Sequence, residues 1–309
     1  MASPSGRTSA ALIVAAGLLF GTTGTSQAFA PAAAGSLSVG AVRLAVGGVL
    51  LGLIGLWTLL RRGRPVLPRW SPAALWVAIG AACVLGYQLT FFVGTRTNGV
   101  AVGTVVALGS TPAFAGLLEW RLLRRRPTGR WLVATGVAVS GVAGLAGLAG
   151  SSEQIYPWGL LASATAGACY AGFTVAMKAL LTRGWGSISA ITATMSLGGL
   201  TAFGVLAFTD NAWVAQPRGL AVVAWLAVMT TVVAYLLVGA GLGGLSAATT
   251  ATLTLTEPAT AAVLGVTLLG ETLSGMQWVG IAAIVVGVLI AGTEPASPRL
   301  LRPASATAA

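Results

Sequence analysis

A glutamate and a proline stand side by side in TLTEPATAA, Thr254 to Ala262, inside an apolar run from Ala247 to about Leu269 that carries no other charge. As a helix beginning near Ser246, the run holds Glu257 about 11 residues in, ~16 Å deep at ~1.5 Å per residue and near the middle of a ~30 Å hydrocarbon layer. A carboxyl group at that depth must face protein or a water-filled cavity. Helical spacing puts Thr250, Thr254 and Glu257 on one face, with Thr249, Thr252, Thr256 and Thr260 as an adjacent hydroxyl stripe. Such a face would line a polar cavity between helices, with Glu257 binding a cationic group or exchanging a proton. The competing reading is a structural carboxyl group held between helices. Tyr87, Gln88 and Tyr235 put polar tips inside other apolar runs, where they suit either substrate contact or helix–helix hydrogen bonds. Arg43, early in the second run, would meet a substrate carboxylate, pair with Glu257, or snorkel to the interface; Lys178, near the end of the sixth run, is read as snorkelling.

Two prolines matter for shape. Pro112 and Pro258 cannot donate to the carbonyls four residues earlier, which frees those of Leu108 and Thr254. In a membrane these oxygens need hydroxyls, water or substrate, so the pair would kink their helices around a cavity; plain curvature for packing is the alternative. Other chemistries find no residues. Histidine is absent, and the two cysteines, Cys83 and Cys169, sit in apolar runs with no disulfide or zinc spacing. No Gly-Lys-Ser/Thr loop is present. The reading is therefore no enzyme, no catalytic residue, no cofactor and no metal.

The elements that would hold these residues follow from composition. Of 309 residues 56% are hydrophobic and only 7% charged, against roughly 25% charged in soluble domains. The apolar residues come in runs of about 20, the length of a membrane-crossing helix. Ten spans are expected, at approximately 9–30, 37–60, 73–93, 99–120, 131–149, 157–180, 187–208, 219–238, 246–269 and 275–292. They read as helices because barrel-type alternation is missing. Arg7, the run Ala10–Phe20 and AFAPAAAG have the outline of a secretory signal, but beside nine further spans they are read as a retained first helix. The tail 293–309 is polar and expected to be a disordered cytoplasmic segment.

The net charge of +11 is read as topology rather than as a nucleic-acid surface. Arg61, Arg62, Arg64 and Arg69 follow span two; Arg121, Arg124, Arg125, Arg126 and Arg130 follow span four; Arg183 follows span six; Arg7, Arg299 and Arg302 lie at the ends. With both termini inside, all of these are cytoplasmic, leaving Arg96, Arg218, Glu153, Asp210 and Glu271 outside. Trp57, Trp70, Trp120, Trp131, Trp158, Trp185 and Trp278, near span ends, read as interfacial anchors. Gly17 with Gly21, and Gly136 with Ser140 and Gly144, read as small-residue packing faces.

The halves repeat. Ala101–Gly129 set beside Ala248–Gly275 brings Pro112 onto Pro258, Thr104 onto Thr250, Leu118 onto Leu264 and Gly129 onto Gly275; Gly141 then falls on Gly287, and Tyr87 and Tyr235 precede the two prolines at similar distances. Five spans per half would insert the second half upside down. The charges agree, since the loop after span four holds five arginines while its counterpart after span nine holds Glu271.

On GLSAATTATLTLTEPATAAVLGVTLLGETLSGMQWVGIAAIVVGVLI and YQLTFFVGTRTNGVAVGTVVALGSTPAFAGLLE the chain resembles the EamA-like branch of the drug/metabolite transporter superfamily. The likeness runs from about residue 9 to 292 as two tandem EamA repeats, 9–149 and 157–292. It departs from the pattern at RRRPTG, where Leu-Gly-Glu is expected, and at Phe20-Gly21, where Trp-Gly is common. The resemblance implies an all-α, ten-helix inverted-repeat secondary transporter, N-in and C-in. It further implies an inner-membrane exporter of small polar metabolites (amino acids, amines or drugs), working by alternating access through a central cavity. Its partners would be the substrate, the lipid bilayer and, as a coupling ion, the proton. Import by the same fold, or a non-transporting sensor or assembly role, are the alternatives.

Overall fold

The computed structural model describes residues 5–62, 72–146 and 155–293, and every regular element among them is helical. The helices are α1 (Gly6–Ala28), α2 (Ser36–Arg62), α3 (Pro72–Leu123), α4 (Gly129–Leu145), α5 (Pro157–Thr182), α6 (Ser187–Leu206), α7 (Pro217–Ala227), α8 (Ala234–Leu242), α9 (Ala247–Leu253), α10 (Thr256–Leu269) and α11 (Gly275–Gly292). A π-helical turn, Val228–Val233, joins α7 to α8 in one span, Pro217–Leu242. Among the described residues eight helices are long and apolar enough to cross a membrane, and α4 is a shorter apolar one. Arg64, Arg69, Trp70, Glu153, Arg299, Arg302 and the tail from residue 294 lie outside the described residues.

At 52 residues α3 would be ~78 Å long if straight, more than twice a hydrocarbon layer. It is two helices joined at Asn98 and Gly99, whose φ of 77° only glycine adopts freely. The third and fourth expected spans both fall within it. Asn98 fixes the bend: its Nδ2 donates to Tyr156 O (2.9 Å) and its Oδ1 accepts from Tyr156 N (2.8 Å). This clamp ties the bend to the start of α5.

The two members of the repeat end their fourth helices alike. Gly270 closes α10 in the left-handed region at φ 71°, and Glu271 N donates back to Gly265 O (3.1 Å). At the matching place Arg124 has φ 55°, and Arg125 N donates to Glu119 O (3.4 Å). RRRPTG thus makes the turn that Leu-Gly-Glu makes, with an arginine in the conformation a glycine would take more cheaply.

Pairing runs between the halves. Helix α2 lies on α6 so closely that a Cβ on Gly48 would stand 2.7 Å from the Gly199 Cα. Helix α4 lies on α11: Gly141 would meet Gly280 O (2.6 Å) and Ile284 N (2.7 Å), while Gly287 would meet Ala134 O (2.7 Å) and the Ala138 Cβ (2.7 Å). These contacts are reciprocal, because Gly141 and Gly287 are repeat mates. Helix α1 packs on α8 and α10 as α5 packs on both parts of α3. Glycines permit each approach, since small residues let membrane helices come together.

Three sequence expectations change here. The face of α4 that packs on α11 is Ala134, Ala138, Gly141 and the expected Gly144, whereas Gly136 meets open space and Ser140 is exposed. Gly17 and Gly21 do pack, against Thr256 and Thr260 of α10. Trp131 is buried rather than interfacial, donating from Nε1 to Thr252 Oγ1 (3.1 Å). Lys178 does not snorkel: it is 4% exposed, and its ammonium donates to the carbonyls of Leu242 (2.9 Å) and Leu245. Those oxygens close α8, where a cation also complements the helix dipole.

Candidate functional site

Between the halves lies a narrow cleft. Helix α2 contributes Arg43 and Leu44, and the first part of α3 contributes Cys83, Val84, Tyr87 and Gln88. Tyr170 and Phe173 come from α5, Thr231 from the π-helical turn, and Tyr235 from α8. The turn adds one residue to the helical repeat, which re-aims the side chains after it, and such bulges recur at functional sites. Thr230 and Thr231 both donate to Leu226 O, at 2.7 and 3.0 Å, taking up an oxygen that the wider turn leaves accessible.

The polar groups of the cleft are organised by Arg43. It donates to Gln88 Oε1 (3.2 Å) and, at the limit of a hydrogen bond, to Thr23 Oγ1 (3.5 Å). The guanidinium therefore fixes which end of the Gln88 amide is oxygen. The other end, Nε2, is buried against Gly40 with no hydrogen-bond partner. A buried donor left open is costly and invites a ligand acceptor once the cleft widens. Arg43 thus points into the cleft instead of along the lipid surface.

Aromatic rings build the remaining wall. Tyr87 lies 5.8 Å from Tyr170, Tyr170 6.1 Å from Phe173, Phe173 5.6 Å from Tyr235, and Tyr235 5.2 Å from Phe20. Tyr87 and Tyr235 correspond in the repeat, and each meets a ring from the helix that opens the opposite half: Tyr170 of α5 and Phe20 of α1. The Tyr170 hydroxyl is buried beside the Thr254 side chain without hydrogen-bond geometry. Tilted and edge-on rings of this kind offer both a flat apolar wall and phenolic tips.

Glu257 is not in the wall of this cleft, nor are Thr250 and Thr254. It sits at the start of α10, half-buried where Gly17 and Gly21 let α1 touch that helix, and within electrostatic reach of Arg43, Tyr87, Tyr170 and Tyr235. The chain leaves the α-helix just before it, at Thr254 and Leu255. Pro258 is the cause: with no N–H at that position, the Thr254 carbonyl accepts instead from Glu257 N, three residues on, at 2.9 Å. The hydroxyls also turn inward, Thr250 to Ser246 O (2.9 Å) and Thr254 to Ala251 O (2.9 Å). Pro112 is different, because the helix keeps helical φ/ψ around it.

The structure therefore brings Arg43, Tyr87, Gln88 and Tyr235 into one cleft, sets Glu257 beside it, and keeps Thr250 and Thr254 in their own helix. Sequence reasoning passed over Thr23, Cys83, Tyr170, Phe173 and Thr231. Tyr170 carried the same signal as Tyr87, a phenol inside an Ala/Gly-rich apolar run. Thr231 carried none, since a π-helical turn leaves no mark in periodicity. Among the described residues no cluster of His, Cys, Asp and Glu could hold a metal ion.

Comparison with known proteins gives the family and the fold. A model of the EamA-like transporter family matches residues 7–147 and again 157–293. The chain is 38% identical over 284 residues to the uncharacterized transporter YwfM of Bacillus subtilis (strain 168), spanning 92% of this chain and 93% of that one. One solved crystal structure superposes with a TM-score of 0.73 over 92% of this chain and 96% of the other. At 22% identity that likeness speaks to the fold alone.

Proposed function

The chain belongs to the EamA-like transporter family, and from that premise we propose a secondary-active exporter of small polar metabolites in the inner membrane. Ten spans, N-in and C-in, form two inverted five-helix repeats, 9–149 and 157–292, that rock about the cleft in alternating access. The bend at Asn98–Gly99 supports counting α3 as two spans. The reciprocal contacts of Gly141 and Gly287 support a two-fold relation between the halves.

The observation that carries a substrate class is one cation in an aromatic-walled cleft with one carboxyl group beside it. Arg43 suits a carboxylate, Glu257 suits an amine, and Tyr87, Tyr170, Tyr235 and Phe173 suit the apolar part between them. A zwitterion such as an amino acid satisfies both charges at once, whereas a simple amine leaves Arg43 unmatched. Gln88 Nε2 supplies a further donor to the carboxylate end. Pro258 places Glu257 by breaking its helix one turn earlier.

Flux of a panel of amino acids and amines in proteoliposomes tests this. Arg43→Gln and Glu257→Gln should each lower zwitterion flux about tenfold or more, because a hydrogen bond to a charged group is worth ~1.5–3 kcal/mol. Glu257→Gln should spare acids that lack an amine. Equal flux of zwitterions in both variants and wild type would overturn the assignment. A proton gradient that drives wild type but not Glu257→Gln would give the carboxyl group the coupling proton; a kept gradient dependence leaves it to the substrate.

A further inference from the structure

The chain has two cysteines, and the fold brings them to the same seam. Cys83 is on the first part of α3, in the first half, and Cys169 is on α5, in the second. The helices run antiparallel there, with Cys83 opposite Gly172 and Cys169 opposite Gly86. A Cβ on Gly172 would stand 2.7 Å from the Cys83 Sγ, and one on Gly86 would stand 2.9 Å from the Cys169 Sγ. Each sulfur thus fills the space where the facing helix lacks a side chain. The backbones are correspondingly close: the Cβ of Cys83 and that of Cys169 would lie 3.9 and 4.0 Å from those added atoms. Both thiols are free and half-buried, they interact directly with each other, and Cys83 lines the cleft.

We infer that Cys83 and Cys169 form a redox-active dithiol whose oxidation by a peroxide-class oxidant joins the two halves through a disulfide. The cleft gives a small oxidant access to Cys83. The Cys83 sulfur attacks a peroxide oxygen and becomes a sulfenic acid, releasing one water. The Cys169 sulfur then attacks the Cys83 sulfur, and the hydroxyl leaves with the Cys169 proton as a second water. Two electrons pass from the thiols to the peroxide, and both thiol hydrogens end in water. Disulfides need Cβ atoms ~3.5–4.5 Å apart; the two cysteines face glycines one helical turn apart on the same seam, so a slide of α5 along α3 brings them into that range. No other cysteine competes.

The consequence for transport rests on the rocking of the halves proposed above. That rocking carries the half with α3 against the half with α5 about the Asn98–Tyr156 clamp, and a covalent bond at Cys83 and Cys169 adds a second tie across the seam. Intact mass and thiol titration of the detergent-purified protein, before and after hydrogen peroxide, test the chemistry without any transport assay. The expected result is a mass lower by two hydrogens, no titratable thiol under denaturing conditions, and full reversal by dithiothreitol. Retention of both thiols, or over-oxidised species with no disulfide, would overturn the inference. In proteoliposomes the peroxide-treated protein should lose flux and regain it on reduction, while Cys169→Ala keeps flux through the same treatment. A disulfide that forms in full and leaves flux unchanged would refute the arrest. Absence of flux in the reduced protein would count against the transporter reading alone, since the mass measurement judges the dithiol separately.

Discussion

Glu119 and Lys178 show at the scale of single residues what buried charge does in this fold. Glu119 is 2% exposed, and its Oε2 accepts from Ala248 N (3.0 Å) at the start of α9. Lys178 closes the carbonyl end of α8. An anion at one helix start and a cation at the neighbouring helix end both complement the local dipoles, and together they pin the turn 243–246. Removing either leaves backbone groups unpaired away from water, at about 1–3 kcal/mol. Lys178→Met and Glu119→Ala should each lower the thermal midpoint in detergent, and midpoints equal to wild type would show the turn to be held otherwise. The sequence made Glu257 legible, because one carboxyl group in a long apolar run is conspicuous. It hid Glu119, which sits beside an arginine-rich loop and reads as part of it. It also suggested that Thr250 and Thr254 face a cavity. Helical spacing is a correct guide to their side of the helix, but a hydroxyl in an apolar helix has its own carbonyls within reach and bonds there first.

At the scale of elements the comparison of Arg124 with Gly270 is the most informative. Two helix ends related by the repeat adopt the same left-handed turn, one with glycine at φ 71° and one with arginine at φ 55°. A side chain in that region costs roughly 1–2 kcal/mol, which glycine avoids. Arg124→Gly should therefore unfold at a higher temperature than Arg124→Ala, a difference on the order of 1 kcal/mol. Both variants lose the same charge, so the comparison isolates the backbone. Equal midpoints would mean that the turn relaxes once the arginine is gone. The apolar runs and their Pro, Gly and Arg gaps made most helix positions legible within a few residues. Pro258 also marked the break at Thr254–Leu255, because its missing N–H frees the Thr254 carbonyl. Two features were not legible: the π-helical turn and the packing face of α4. The first depends on how backbone carbonyls find donors in the folded helix. The second depends on which small residues meet α11: Gly144 does, while Gly136 and Ser140 of the same spacing do not.

For the whole molecule, the outer surface and the arginines together make a prediction about orientation. Large apolar side chains such as Leu60, Leu75, Leu161, Leu200 and Leu289 are more than half exposed, a surface that suits lipid and would aggregate in water. Contacts group the helix ends in two sets. Arg130 at the start of α4 bonds Thr293 after α11, and Arg183 after α5 lies 5.2 Å over the Trp76 ring near the start of α3. These arginine-bearing ends share one side. On the other, Asn98 meets Tyr156, Ser38 meets Asn211 (2.7 Å), and Gln277 meets Leu145 (3.1 Å). Positive loops stay in the cytoplasm, so the first set should be inside. With Cys83 and Cys169 replaced by alanine, a cysteine at Arg126, in the exposed turn before α4, and one at Phe208, 91% exposed after α6, provide opposite reporters. A membrane-impermeant maleimide added to intact cells should label Phe208→Cys at once and Arg126→Cys only after permeabilisation. The reverse pattern would turn the molecule over, and labelling of both from outside would break the odd number of crossings between them, α4, α5 and α6. Composition alone made the membrane legible, but not which helices pair: the mates α4 and α11 are far apart in the chain, and only the alignment of Gly141 with Gly287 marked both as glycine-bearing faces before the fold brought them into contact.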